Sequence, residues 1–223
     1  MSPRHSRRRG AATPRRRPST DAVRKEFLIF TEGTTEIEYL RGWHQDYRRY
    51  VNVEFGRASG TDPLTLVRAA VAARQVEQRS ERKGEGRAHD EVWCVFDTDE
   101  HSNLREARQL AEANDIRIAL SNPCIELWFI LHFEQVTRHT DRSAAQSRAH
   151  QLLGSNKHVN RATFETLAQH YSDARTHARQ LDAKHHGDGS PPRHNPSSDL
   201  WRLVDRFREA AGSASTAIDD SPR

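Results

Sequence analysis

Short apolar runs alternate with helix-like segments over the first half of the chain. The apolar runs predict four strands, at residues 26–31, 51–55, 90–96 and 116–120. The segments between them predict helices at residues 34–50, from Pro63 to about residue 78, and at residues 103–114. This order favours an α/β fold, in which helices flank a mostly parallel four-stranded sheet on both faces.

The second half of the chain is predicted to be helical. Apolar content and spacing predict helices at residues 125–133, 143–153, 162–181 and 199–211. Residues 185–192, rich in Gly and Pro, are predicted to be a loop, and their two histidines lack the spacing and acidic partner of a metal site. The predicted organisation is a disordered tail at 1–24, an α/β core at 25–135, a helical extension of the same domain at 136–211, and a frayed tail at 212–223.

Basic charge is concentrated at the start of the chain. Residues 1–25 contain nine Arg or Lys and one Asp, a net charge of +8; the full chain carries +4, so residues 26–223 carry −4. With almost no large apolar side chain, this tail cannot offset its ordering entropy. Its arginines predict salt-dependent contacts with nucleic-acid phosphates, through Arg7, Arg8, Arg9, Arg15, Arg16 and Arg17. A solvated tail without a dedicated partner is the alternative.

Cellular compartment is constrained by what the sequence lacks. The chain has no run of about eighteen apolar residues and no apolar stretch typical of a secretory signal, so we expect a cytoplasmic protein without membrane association. Its two cysteines, Cys94 and Cys124, have no CxxC spacing. They are predicted to be packing residues rather than a disulfide or a zinc site.

Acidic residues follow two of the predicted strands directly. Glu32 comes after the first strand, and Asp97 and Asp99 come at the end of the third. Because α/β sheets bind ligands at the carboxyl ends of their strands, these acids are expected to meet there. Glu36 lies one helical turn after Glu32 and can lean back toward it. Carboxylates gathered in this way predict a site for a hard divalent cation such as Mg²⁺.

Each of these acids also has a purely structural explanation. Glu32 and Glu36 belong to a predicted helix N-terminus, where acids interact favourably with the helix dipole. Asp97 and Asp99 are residues of a type that favours turns. The metal-site interpretation therefore depends on the four acids as a set.

Three sequence blocks in this part of the chain resemble a known family. They are TEGTTEIEY at residues 31–39, VFDTDEH at 95–101 and SNPCIELW at 121–128, the last followed by LHF at 131–133. A strand followed by Glu-Gly and a later strand ending in Asp-x-Asp resembles the Toprim domain of topoisomerases, primases and related nucleases. The three blocks together resemble the RloB family over about residues 25–210, so the resemblance implies a Toprim-like core. The Arg-rich tail is not part of this pattern.

The resemblance implies a role for each of the four acids. Glu32 would be the acid–base group and a metal neighbour, Asp97 and Asp99 the metal-holding pair, and Glu36 the second acid of the nuclease branch. With Mg²⁺ or Mn²⁺ as cofactor, the expected reaction is hydrolysis of phosphodiester bonds in DNA or RNA, tRNA included. RloB-like proteins occur in bacterial restriction and anti-phage loci, so the resemblance also implies abortive-infection defence and an ABC-like ATPase encoded nearby.

Three further residues are candidates for the site. Glu126 is expected to be an added ligand or proton carrier, and His132 a catalytic group, although their separation of six residues does not place them on one helix face. Lys157 is expected to neutralise phosphate charge. The neighbouring Trp128 and Phe129 are predicted to be core residues.

Two other functions stay open at this point. The domain could bind metal as a non-catalytic regulatory partner of the ATPase, or the acids could be structural and the tail a nucleic-acid tether. The chain has no P-loop and no G-x-G-x-x-G turn, which argues against nucleotidyl transfer and ATP hydrolysis. Apolar stripes, expected to be exposed on the later helices, would suit a homodimer.

Overall fold

A computed structural model describes residues 24–98, 103–154 and 158–219, without the side chains of residues 214–219. The strands are β1 (Lys25–Thr31), β2 (Val51–Phe55), β3 (Glu91–Asp97), β4 (Arg117–Asn122) and β5 (Ser197–Ser198). The helices before β4 are α1 (Thr34–Tyr47), α2 (Pro63–Arg82) and α3 (Leu104–Ala113). Those after it are α4 (Ile125–Ile130), α5 (Arg142–Leu153), α6 (Arg161–Gln169), α7 (Tyr171–Gly187) and α8 (Leu200–Asp219).

The sheet separates two hydrophobic cores. Its strand order is β2-β1-β3-β4-β5, and the first four strands are parallel. Since side chains alternate across a strand, Phe27 and Ile29 face one core while Leu28 and Phe30 face the other. The first core lies under α1, α4, α6, α7 and α8, and the second under α2 and α3. The rings of Phe27 and Phe207 lie 4.8 Å apart, so the first strand packs against the last helix.

The prediction of a mostly parallel α/β sheet is confirmed, but the strand count is wrong. Five strands are present in the described residues, because Ser197 and Ser198 pair antiparallel with Asn122 and Ser121 at the end of β4. A two-residue strand has no apolar alternation that a sequence pattern could detect. The hydroxyls of Ser121 and Ser198 lie 3.0 Å apart and join β5 to the sheet through side chains as well.

Helix boundaries differ from prediction in the second half. The helix predicted at 162–181 is two helices, α6 and α7, which meet at His170. The predicted loop at 185–192 is wrong at its start, because α7 continues through Gly187 and buries His185. The α8 helix continues past its predicted end at residue 211, to Asp219.

Most large apolar side chains are covered. Among the described residues, the exposed large hydrophobic side chain is Val76 on α2. The expectation of apolar stripes exposed on the later helices is therefore wrong, since residues such as Phe164, Leu181 and Leu203 are buried in the first core.

Within the described chain, no helix has both the length and the apolar character needed to cross a membrane.

A buried acid holds the amino-terminal end of β3. Glu91 is 5% exposed and accepts hydrogen bonds from Lys25 Nζ at 2.5 Å, Arg206 Nη2 at 2.6 Å and Trp93 Nε1 at 2.9 Å. Burial raises the pKa of Glu91, but the hydrogen bonds from Arg206, Lys25 and Trp93 outweigh it and hold the pKa below its ordinary value. This acid therefore ties β1, β3 and α8 together as a carboxylate.

Glu91→Gln should lower the free energy of unfolding by about 3 kcal/mol, because it breaks a buried charge network without changing its shape. Urea unfolding at pH 7 measures the loss. Glu106→Gln is the matched control, since Glu106 pairs with Arg68 on the surface, where both side chains are about 60% exposed and such a pair contributes little. Equal free energies of unfolding for the two variants would contradict the role of Glu91 in a buried charge network.

Candidate functional site

The carboxyl ends of β1 and β3 meet at one edge of the sheet. The two strands are parallel neighbours, with Thr31 opposite Val95. Glu32 continues this pairing, since its backbone N–H donates to the Val95 carbonyl at 3.1 Å. Its side chain then reaches across, where Glu32 Oε2 accepts the backbone N–H of Asp97 at 3.1 Å. The first and third strands thus bring Glu32 and Asp97 together as predicted from the sequence.

Glu36 reaches this edge from the first turn of α1. Its side chain is 5% exposed, and Oε2 has no hydrogen-bond partner in the described residues. The carboxylate lies against the backbone of Gly33, where a Cβ atom would come within 2.8 Å of Oε2. Burial, together with the charges of Glu32 and Glu126 and against hydrogen bonds from the backbone, raises the pKa of Glu36 to about 7.

Asp97 is the most strongly perturbed acid of this edge. It ends β3 and is 5% exposed. Burial, together with the charges of Glu36 and Glu32 and against that of Arg142, raises its pKa to about 9. A buried carboxylate surrounded by others holds its proton unless a cation is brought to it.

Glu126 comes to the same edge from the third sequence block. It lies in the first turn of α4, is 7% exposed, and interacts electrostatically with both Glu36 and Asp97. Burial, followed by the charge of Glu126, raises the pKa of the adjacent Cys124 thiol, so that this buried cysteine stays protonated. We call Glu32, Glu36, Asp97 and Glu126 the carboxylate cluster.

Arg142 is a site residue that the sequence did not reveal. It is the first residue of α5, and its Nη2 donates to Asp97 Oδ2 at 3.2 Å. The Arg142 side chain is 38% exposed, so its guanidinium group lies between the buried Asp97 and the solvent. No periodicity or motif marks Arg142, and 45 residues separate it from Asp97; only the fold of the helical extension brings them together.

His132 lies away from the carboxylate cluster. It is 1% exposed, its Nδ1 hydrogen-bonds the Trp128 carbonyl at 2.8 Å, and its ring contacts those of Tyr39 and Trp128. Burial lowers its pKa to about 3, and the side-chain charges that act on it are those of His170 and Asp173. Its catalytic role stays a prediction that this placement does not favour. Trp128 and Phe129 are buried core residues, as predicted.

Several predicted site residues lie outside the described part of the chain. They are the fourth acid, Asp99, the loop residue Lys157, and the tail residues Arg7, Arg8, Arg9, Arg15, Arg16 and Arg17. Their roles stay predictions.

The carboxylate cluster fits a hard divalent cation by its chemistry. Its donors are all oxygens, Glu36 Oε2 is buried without a partner, and Asp97 carries a pKa that a bound cation would lower. Within the described residues, no group of three His, Cys, Asp or Glu side chains is arranged to hold a metal ion. The cluster is therefore a set of suitable ligands rather than a finished cage, and Asp99 is the predicted additional ligand.

A known protein family matches the part of the chain that contains the ends of β1 and β3 and the helices up to the start of α8. A family model described as RloB-like protein matches residues 27–207, most of the chain. The chain belongs to the RloB-like family. The matched part of this RloB-like chain includes all four acids of the carboxylate cluster, Arg142 and β5, and excludes the Arg-rich tail. No curated protein and no solved structure matched the chain.

Proposed function

We propose that this protein is a Mg²⁺- or Mn²⁺-dependent nuclease of the Toprim type that hydrolyses phosphodiester bonds in bacterial anti-phage defence. The observation that carries the proposal is the carboxylate cluster. Four acids, from the end of β1 and from α1, β3 and α4, converge at the carboxyl edge of a parallel sheet, where open α/β folds bind ligands. Burying Glu36, Asp97 and Glu126 beside one another costs stability, and a structural role alone gives no reason for placing them together.

Each acid of the site would have its own role in the reaction. Glu36, Asp97 and Glu32 would hold the cation, together with Asp99. Glu126, the remaining acid, would accept a proton from the attacking water. When bound, the cation would supply charge neutralisation on the phosphate and a more acidic water. Hydrolysis would join the water oxygen to phosphorus, break the bond to the leaving oxygen and leave one hydroxyl end and one phosphate end.

Arg142 would act on the substrate side of the cluster. In the described structure its guanidinium partly neutralises Asp97. A cation bound to Asp97 would take over that neutralisation, and the guanidinium could then bind an oxygen of the scissile phosphate. Such an exchange would link metal occupancy to phosphate binding.

A cleavage assay tests the proposed function directly. Purified wild-type protein is incubated with labelled tRNA, single-stranded DNA and duplex DNA, with Mg²⁺, Mn²⁺ or EDTA, and the products are separated on a gel. Metal-dependent cleavage of one substrate would support the proposal and identify the substrate class. Absence of cleavage with a neighbouring ABC-like ATPase also present would instead favour a non-catalytic regulatory partner.

Deleting residues 1–24 should weaken nucleic-acid binding and make it less sensitive to salt, because these residues contain eight Arg and one Asp, a net charge of +7, whereas the rest of the chain is net negative. Metal binding should be unchanged, since the carboxylate cluster lies outside the deleted residues. Fluorescence anisotropy over a salt series measures the first effect, and Mn²⁺ titration measures the second. Loss of Mn²⁺ binding on deletion would contradict this division of roles.

A further inference from the structure

Two adjoining cavities lie beside the β4–β5 edge of the sheet. Their volumes are about 470 and 410 Å³, and they share Arg193 and Arg202 in their walls. The first extends to Arg108 on α3, and the second extends along β4 to Arg117. We call the two together the arginine groove, lined among others by Arg108, Arg117, Arg193, Trp201, Arg202 and Arg206.

A buried carboxylate fixes the two arginines at the centre of the groove. Asp199 is 3% exposed and pairs with Nε of both Arg193 and Arg202. Arg193 contacts Asp199 through Nε, Nη2 of Arg202 donates to Asp182 at 2.9 Å, and Asp182 interacts electrostatically with both arginines. Preorganised guanidinium groups with spare donors are suited to binding phosphate.

Three arginine side chains lie against the ring of Trp201 on the same surface. The guanidinium carbons of Arg202, Arg175 and Arg179 lie 4.4, 5.6 and 5.9 Å from its ring centroid. Arg179, beside the Trp201 ring, and Arg108, in the wall of the first cavity, are exposed and have no ion-pair partner among the residues the structure describes. Indole rings and guanidinium planes are the surfaces on which unpaired bases stack.

His185 adds a buried acceptor to the wall. It is 3% exposed, and its Nε2 lies 2.9 Å from the Pro196 carbonyl, which can only accept, so Nε2 carries the proton. Its Nδ1 is then an acceptor and has no partner in the described chain. An amino group of a base or a sugar hydroxyl would satisfy it, whereas a phosphate oxygen would not.

The groove begins close to the carboxylate cluster. Asp97 lies opposite Ser121 on β4, Ser121 lies opposite Ser198 on β5, and Asp199 follows directly. Two strand spacings separate Asp97 from β5, a distance of about 10 Å. The Asn122 side chain also donates to the Arg193 carbonyl at 3.0 Å and links the groove to the same sheet edge.

We propose that the arginine groove binds a single strand of nucleic acid and leads it to the carboxylate cluster. Arg193, Arg202 and Arg108 would contact the phosphates, while the Trp201–arginine stack and His185 would contact bases or sugars. Each cavity has a volume in the range of sites for one small molecule, which is large enough for an unpaired nucleotide. Delivery of the strand to the carboxylate cluster rests on the proposed nuclease function, whereas binding of the strand in the groove does not.

Binding in EDTA separates the groove from catalysis. Fluorescence anisotropy of labelled oligo-dT and oligo-U, each compared with a duplex of equal length, gives the preference for single strands. The full-length Arg108→Gln/Arg179→Gln variant should bind single strands about tenfold more weakly and lower the slope of log affinity against log salt by about 0.7, because Arg108 is the one of the two that is proposed to contact a phosphate. Trp201→Leu keeps every charge and should remove most of the preference for single strands over duplex.

Arg49→Gln/Arg57→Gln is the matched control. Both arginines are exposed and flank β2, at the opposite edge of the sheet, and the variant has the same net charge as the groove variant. It should bind like the wild type, and circular dichroism confirms folding of all variants. Groove variants that bind single strands as tightly as the control would overturn the proposal, because the tail alone would then hold the substrate.

Cleavage distinguishes this inference from the function on which it rests. Weakened binding by the groove variants, with no cleavage by any protein, would support the groove and refute the nuclease. Metal-dependent cleavage with an unchanged KM in the groove variants would support the nuclease and refute the groove.

Discussion

Asp97→Asn should abolish metal-dependent cleavage of nucleic acid while leaving the fold intact. Asparagine keeps the shape of the side chain and removes the charge that a cation would bind. Loss of a central charged group of a hydrolytic site lowers turnover on the order of 10³-fold or more. The measurement is the single-turnover cleavage rate in Mg²⁺ and Mn²⁺, on the substrate that the wild type cleaves.

Asp90→Asn is the control for this variant. Asp90 precedes the same strand at its opposite end, where it accepts the Glu26 N–H at 2.8 Å and pairs with Arg87. The substitution is chemically identical but far from the carboxyl edge, so cleavage should be retained. Full cleavage by Asp97→Asn would remove the carboxylate cluster from the reaction, and equal losses in both variants would indicate a general structural effect.

Stability of the metal-free protein should fall by about 3 kcal/mol as the pH rises from 7 to 9. The pKa of Asp97 is raised from its ordinary value of 3.8 to about 9. The folded protein therefore keeps a proton that the unfolded chain has already released, and stability is lost as the pH rises through the folded-state pKa. Glu36, with a pKa of about 7, contributes in the same direction at the lower end of this window.

His132 has the opposite effect on stability, but in a different pH range. Its pKa of about 3 means that it is neutral in the folded protein, so it costs stability only below pH 6.5, where the unfolded histidine is protonated. Above pH 7 the acids alone decide the sign. Between about pH 4.5 and 6.5, the two acids together release more protons on unfolding than His132 takes up, so stability is expected to keep rising as the pH falls below 7 and to be greatest near pH 4.5.

Urea unfolding in EDTA at several pH values measures this dependence. Asp97→Asn should flatten the slope between pH 7 and 9, whereas Glu106→Gln, an exposed acid on α3, should leave it unchanged. Added Mn²⁺ should stabilise the wild type increasingly as the pH rises, because cation and proton compete for the same carboxylates. A wild-type slope equal to that of Asp97→Asn would contradict the placement of Asp97 in a buried acidic cluster.

The parallel half of the sheet could be predicted because its signal is local. Buried runs such as 90–96 and helix-forming segments between them alternate along the chain, and parallel strands with crossovers follow from that order. β5 could not be predicted in this way. Two serines become a strand only because Ser121 and Asn122 are placed beside them by the rest of the fold.

The same limit applies to the site. Glu32 and Asp97 could be paired from the sequence because both follow strands that end at one edge. Arg142 carries no such signal, since it begins a helix in a separate part of the chain and meets Asp97 only through tertiary packing. His132 illustrates another limit, since the family motif does not reveal that its ring is buried against Tyr39 and Trp128, and its catalytic role stays a prediction.

Contact between Phe27 and Phe207 has a consequence for how the protein is made. Phe27 and Ile29 share a core with α8, so a chain emerging from the ribosome cannot complete the packing on this face of β1 until α8 has been synthesised. Arg193 and Asp199 also come late in the chain, so we expect the groove to form after the acids at the ends of β1 and β3 have been synthesised. Chains that end before α8 would thus lack a complete arginine groove.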